Sequence, residues 1–250
     1  MPKIAVITAN MGSFDKNHEI VEQSIPVDFY KFGDDNFTPR IKAMTPRLQA
    51  RIPKMFGWQM VPGYDFYIWH DSSLAVTSKD MVAWFMGQLG DADAVFLRHP
   101  ERKTVCEEAE YIKEKVLANH YYLAPRYAGE LIDEQMKELQ EPTGYKDDLL
   151  IASTTFMYRN TIKVHDLMKE WWYHTSRYHI VDQLGLPYAI YRSGCKVNII
   201  DDNYLCLKHL KHTRHAHFKY FIKKEDGTRS EIINADTYME KTGRTEVGNG

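Results

Sequence analysis

Cysteine is scarce in this chain. Cys106, Cys195 and Cys206 are an odd set with no C-x-x-C spacing, which excludes a disulfide framework and a zinc knuckle and fits a reducing compartment. Long hydrophobic runs are missing as well. The first, Ile4 to Ala9, stops at Asn10, too short for a signal-peptide core or for the roughly 20 residues that span a bilayer. A cytoplasmic protein with no integral membrane segment is the expectation. An excess of one charge is also absent: 32 Lys+Arg against 34 Asp+Glu leave a formal charge of -2, which argues against a protein that coats nucleic acid through its global field. The chain has no G-x-x-x-x-G-K, Gly12 stands too isolated for a dinucleotide fingerprint, and Ser72 lacks the G-x-S-x-G context of a nucleophile elbow. No internal repeat or low-complexity linker interrupts it.

What is present is ordinary globular material, 44% hydrophobic and 26% charged over 250 residues, enough for one large cored domain. We read residues 1–224 as that domain and the polar stretch 225–250 as a C-terminal tail. Aromatic residues are abundant, with 16 Tyr and 5 Trp, a composition shared by packed cores and by sites that stack pyranose-like ligands.

Short β-branched or aromatic runs predict strands over Lys3 to Asn10, Val27 to Phe32, Tyr64 to His70, Ala94 to Leu97, Leu149 to Tyr158 and Val197 to Ile200. Helical signals fall between them. Thr45-Pro46 supplies an N-cap and a first-turn proline for a short helix that Pro53 should end. Thr104 and Glu107 form a capping-box pair ahead of Val105, Ala109, Ile112 and Val116 at helical spacing. Further helices are expected over Ala128 to Gln140 and Thr161 to Thr175. Alternating strands and helices make an α/β fold, a sheet flanked by helices on both faces, the economical architecture.

In such a sheet ligands bind beyond the carboxyl ends of the strands. Asn10 ends the first strand, and Trp69-His70-Asp71-Ser72-Ser73 ends the most buried one. Asp71 is therefore the leading candidate for a ligand-facing carboxylate, and turn formation is its competing role. Arg47, Arg51 and Lys54 form a basic group just before that strand. Arg98 and His99 close another buried strand, where they can reach a phosphate or a sugar hydroxyl, or else join an ion-pair cluster with Glu107 and Glu108. Lys208 to Lys224 holds six Lys/Arg and four His with no acidic residue; a leaving diphosphate suits such a tract, and so does a plain solvated face.

Pro53-Lys54-Met55, Tyr64 to Ser73, Arg98-His99-Pro100-Glu101-Arg102 with Cys106-Glu107-Glu108-Ala109, and Asp182-Gln183-Leu184 occur in this order. Over about Lys3 to Tyr191 the chain resembles the domain of unknown function 616 family, the glycosyltransferase-like domain of plant TOD and MUCI proteins. The resemblance implies a GT-A-like, Rossmann-related mixed sheet and transfer of a sugar from a nucleoside-diphosphate sugar to a glycan or other hydroxyl acceptor, with no nucleic-acid partner. It implies a divalent cation, Mn²⁺ or Mg²⁺, at Asp71 and Ser73, completed by a late histidine, for which His209, His212, His215 and His217 are candidates by position. It places Asn10, Asp34, Asp35, Arg51, Lys54, Arg98, His99 and Lys211 on the donor side. Asp182 becomes the acceptor-side base, with Gln183 and Trp69 at the sugar. GT-A enzymes usually carry Asp-x-Asp at this strand end, whereas this chain has Asp71-Ser72-Ser73. Either Asp71 binds the cation with help from elsewhere, or basic side chains neutralise the diphosphate. The rivals are a metal-dependent hydrolase of the ceramidase type, which a plant relative has been described as, and a non-catalytic nucleotide- or sugar-binding module.

Overall fold

The computed structural model describes residues 1–141, 144–202, 207–213, 220–223 and 229–232. In chain order the first half holds β1 (Ile4–Asn10), β2 (Asp28–Gly33), α1 (Pro46–Met60), β3 (Phe66–His70), β4 (Leu74–Val76), α2 (Met81–Leu89), β5 (Ala94–Arg98) and α3 (Val105–Leu117). The second half continues with α4 (Ala124–Tyr127), α5 (Ile132–Gln140), β6 (Ile151–Arg159), α6 (Ile162–Arg177), α7 (Asp182–Ser193) and β7 (Val197–Ile200). Three short strands follow, β8 (Leu210–His212), β9 (Tyr220–Lys223) and β10 (Arg229–Ile232).

Six strands form one sheet in the order β2-β1-β3-β6-β5-β7. The pairs β1–β2, β1–β3 and β5–β7 are parallel, while β6 runs antiparallel to both β3 and β5. The result is a mixed sheet flanked by helices, in line with the α/β architecture expected from the sequence. Strand alternation assigns its two faces. Ala5, Ile7, Tyr67, Trp69, Phe96, Phe156 and Tyr158 pack beneath α1, α6 and α7. Ile4, Val6, Phe66, Ile68, Val95, Leu97 and Met157 pack against α2 and the segment around Leu207 and Leu210. All five residues of β3 are buried, as befits a central strand covered on both sides.

Helix α1 departs from expectation. It begins as predicted, with Thr45 Oγ1 accepting from Leu48 N at 3.2 Å and Pro46 in the first turn, but it runs through Pro53 to Met60. The helix departs from regular geometry at Phe56 (φ -117°), one turn past the proline. Burial of Pro53, Lys54, Met55 and Gly57 against the sheet offsets an interior proline's cost of about 3 kcal/mol. Gly57 permits the contact, because a Cβ there would lie 2.4 Å from Ile7 Cδ1.

The capping box of α3 forms as read, with Thr104 and Glu107 each accepting from the other's backbone. The helix expected over Ala128 to Gln140 starts only at Ile132, preceded by the single turn α4. Strand β8 pairs antiparallel with β4, and β9 with β10, Arg229 opposite Lys223. Paired strand thus extends past residue 224. Residues 225–228 and 233–250, the rest of the expected tail, lie outside the described residues, as does Cys206. Cys106 and Cys195 are free thiols. Among the described residues no helix is long and apolar enough to cross a membrane.

Candidate active site

A crevice of about 420 Å³ opens where β1, β3 and β5 end and where β6, running the other way, begins. Its size falls within the roughly 300–1,000 Å³ common for small-molecule sites. Asn10, Trp69, Asp71, His99, Ser153 and Asp182 reach it from these strand ends and from the first turn of α7.

Arg47, Arg51 and Lys54 are spaced to share one stripe of α1, and that stripe points into the crevice floor. The Lys54 ammonium, fully buried, lies 2.7 Å from Asp182 Oδ2 and 3.3 Å from Asp71 Oδ1. It also sits 5.7 Å from the ring centre of Trp69 and 5.6 Å from that of Trp171. Arg51 Nε is 3.1 Å from the same Asp182 oxygen. Two cations and two carboxylates thus close into a neutral set in a dry place, where any one of them alone would carry a large desolvation cost. Ser153 Oγ donates to Asp182 Oδ1 at 3.0 Å. Trp171 Nε1 donates to the Asp182 carbonyl at 2.6 Å, which fixes the start of α7. Burial pushes the Asp182 carboxyl up, but Arg51 and Lys54 outweigh it and hold the group below the usual carboxylate range.

Asp71 is the more open of the two acids, its side chain 26% exposed. Trp69 Nε1 donates to its Oδ1 at 2.8 Å, and its backbone N–H donates to the Thr154 carbonyl at 2.8 Å. The bonds from the Trp69 indole and the Lys54 ammonium both fall on Oδ1, and the side chain lines the cavity.

The opposite wall comes from the segment after α3. His120, Tyr122, Arg126 and Tyr127 line the crevice with Arg47. The Arg126 guanidinium lies 3.5 Å from the centre of the Tyr122 ring, and that of Arg47 lies 5.1 Å from the centre of Phe14. Burial first, and then the neighbouring Arg126 charge, push Arg47 down to about 10. Burial also pushes Glu108 up, and it is met by Arg102 Nε and by Gln183 Nε2, the latter at 2.5 Å. His99 Nδ1 accepts from the backbone N–H groups of Glu101 and Arg102, and burial with Arg102 nearby pushes it down to about 4.

The structure therefore brings together Asn10, Arg51, Lys54, Trp69, Asp71, Ser73, His99, Asp182, Gln183 and His212. Other expected residues lie elsewhere. Asp34 accepts from Gly12 N at 3.0 Å and ties down the turn after β1, where Gly12 adopts φ +71°; Asp34 and the exposed Asp35 do not line the crevice. Arg98 turns to Asp201 at the sheet edge. Lys211 is exposed on β8, and His209 packs 5.5 Å from Trp84 on the far side of that strand pair. Strand alternation explains the split, since only His212 of this group faces the cavity. Asn10 acts through the loop: its side chain exchanges hydrogen bonds with the Asp15 backbone at 2.8 and 3.0 Å. Arg214, His215 and His217 lie outside the described residues. Asp182, enclosed and held ionised, is a weak base, so its expected acceptor-side role gives way to positioning Arg51 and Lys54.

The donors also fit a divalent cation poorly. Among the described residues no three His, Cys, Asp or Glu side chains converge as a metal shell. Ser73 offers a neutral hydroxyl, its carbonyl already accepts from Thr213 N and Oγ1 at 2.7 and 2.9 Å, and Asp71 is shared with an ammonium. Sequence reasoning missed His120, Tyr122, Arg126 and Tyr127. Their signal was present in the aromatic and basic run His120-Tyr121-Tyr122-Leu123-Ala124-Pro125-Arg126-Tyr127.

No family model matches the chain, and no curated protein matches it. Among solved structures it is similar to a glycosyltransferase involved in glycosylation of the major capsid of PBCV-1, at 9% identity over 80% of this chain and 82% of that one, with a TM-score of 0.39. It is also similar to 4-diphosphocytidyl-2C-methyl-D-erythritol synthase from Anaerococcus prevotii, at 12% identity over 83% of this chain and 92% of that one, TM-score 0.42. A third similar structure is mouse xyloside xylosyltransferase 1 in its apo form, at 9% identity over 80% of this chain and 85% of that one, TM-score 0.40.

Proposed function

We propose that this chain is a glycosyltransferase that moves a sugar from a nucleoside diphosphate to a hydroxyl acceptor, a glycan or another alcohol. The observation that carries the reading is one crevice lined both by an arginine cluster suited to a diphosphate and by a fixed, partly exposed carboxylate, Asp71. The sequence resemblance to the domain of unknown function 616 family supports the same reaction class.

In this reading the acceptor hydroxyl lies against the Asp71 carboxylate. Its oxygen bonds to the anomeric carbon as the bond from that carbon to the diphosphate oxygen breaks, and its proton passes to Asp71. The electron pair leaves with the nucleoside diphosphate, whose growing negative charge is met by Arg47 and Arg126. Trp69 and Tyr122 offer flat faces for a pyranose ring. Lys54, Arg51 and Asp182 hold the frame and do not touch substrate.

A panel of nucleoside diphosphates and their sugars, read by thermal shift and by release of the free diphosphate, tests the proposal. The expected result is a raised melting temperature with one nucleotide class and release that an alcohol acceptor accelerates. Binding without release indicates a binding module. Turnover of an amide or ester with no nucleotide effect indicates the hydrolase.

A further inference from the structure

The cation that the family resemblance implies and the site geometry disagree, and the disagreement has a physical reading. A divalent cation needs surplus negative charge from oxygen ligands. At this strand end most of the negative charge is already matched. Asp182 and Asp71 are matched by Lys54 and Arg51, and Glu108 is matched by Arg102. Asp15, at the crevice lip, accepts from the neutral Ser72 hydroxyl and keeps its charge, a single carboxylate where a divalent cation needs several. Arg47 and Arg126 line the same cavity in addition. They are close enough for each charge to oppose the other, and an anion set between two guanidiniums relieves that repulsion. Arginine is suited to the task, since its planar fork meets phosphate oxygens in pairs.

We infer that the crevice binds a diphosphate directly through Arg47 and Arg126, with no divalent cation bridging it to Asp71. This rests on the nucleotide-sugar reading only for the identity of the ligand; the anion site itself stands on the charges above. Lys54 supplies from within the protein the positive charge that a metal would place beside Asp71.

The test uses isothermal titration with two probes, inorganic pyrophosphate and a panel of nucleoside diphosphates, each in excess EDTA and then in Mn²⁺ or Mg²⁺. The expected result is binding in EDTA that either cation changes by less than about threefold. Arg47→Ala and Arg126→Ala should each weaken pyrophosphate by about tenfold or more, the scale of a lost charged contact. Asp71→Asn removes a negative charge from the face the anion meets, so it should tighten pyrophosphate; a metal-bridged site would lose the ligand with that change. The melting temperature of each variant shows whether it is folded, and the EDTA comparison on the unaltered chain needs no variant. If either probe binds only with the cation, or if neither binds at all, the inference is overturned. If pyrophosphate binds in EDTA and no nucleoside diphosphate does, the anion site stands and the nucleotide-sugar reading falls.

Discussion

Lys54 places its ammonium 2.7 Å from Asp182 Oδ2, and the two side chains are 0% and 6% exposed. One comes from the middle of α1 and the other from the first residue of α7, so the pair locks two helices to the crevice floor. An ion pair in a dry place contributes little net stability over apolar packing, but breaking it strands a charge. Lys54→Met should therefore cost roughly 3–5 kcal/mol in urea unfolding. Adding Asp182→Asn to it should cost less than the sum of the single changes, because the stranded carboxylate is gone. A loss for Lys54→Met below about 1 kcal/mol, the range of exposed pairs, would show that solvent reaches the pair.

The fit of α7 against α6 depends on Gly185. A Cβ at this position would lie 2.7 Å from His174 Cβ and 3.2 Å from Gln135 Nε2. His174 Cβ is held by its own backbone and cannot swing aside. Gly185→Ala should thus destabilise the fold by about 1–3 kcal/mol, the usual cost of overpacking, despite alanine's better helix propensity. An unchanged or raised melting temperature would mean that the helices separate freely.

Much of this arrangement was legible in the sequence. Strands β1, β3, β5, β6 and β7 announced themselves through apolar runs between turn residues, and Thr45, Thr104 and Thr161 marked three helix starts that the structure caps with their side chains. Local signals of that kind do not reveal pairing partners. The antiparallel course of β6, and the partnership of β4 with β8 across more than a hundred residues, depend on tertiary contact alone. Helix α2 was missed because its run, Met81 to Leu89, is apolar nearly all round and shows little periodicity. At the site, Asp71 and the α1 stripe were readable from strand ends and helical spacing. The loss of Asp182 as a base was not readable, because it comes from Lys54 and Arg51 arriving in space.

Burial pushes four enclosed histidines, His70, His99, His174 and His179, below their ordinary value, and His99 and His179 move furthest. Burial, with Arg102 nearby, pushes His99 down to about 4, and burial, with His174 nearby, does the same to His179. Their unfolded values lie near 6.5, so between about pH 6.5 and 4 the unfolded chain takes up protons that the folded one refuses. The stability these residues contribute is complete above pH 6.5 and falls as pH drops toward 4, by up to about 3 kcal/mol for each group. Below that, protonation of Asp182 removes more, since its folded carboxyl lies under the usual range. Glu108, pushed up by burial, works in the opposite direction. Urea midpoints measured from about pH 7 to 4.5 should fall steadily, and His179→Leu should flatten the slope. An equal slope in that variant would remove His179 from the acid response.

Turnover separates the two jobs that Asp71 could hold. As proton acceptor for the incoming hydroxyl, it acts on the chemical step, where a positioned base contributes about 10²–10⁴-fold. Asp71→Asn keeps the size of the side chain and an oxygen for the Trp69 indole, yet removes the basic carboxylate. The expected outcome is a fall in kcat of at least about a hundredfold with a donor KM that stays level or decreases, because the arginines still hold the diphosphate and one opposing charge is gone. An anchor for a bridging cation would behave differently: donor affinity and kcat would collapse together, and added Mn²⁺ would restore part of both. A variant that folds and retains near-normal kcat would remove Asp71 from the chemistry altogether, and the proton would then have to pass to another titratable group that lines the crevice, such as His212 or Asp15.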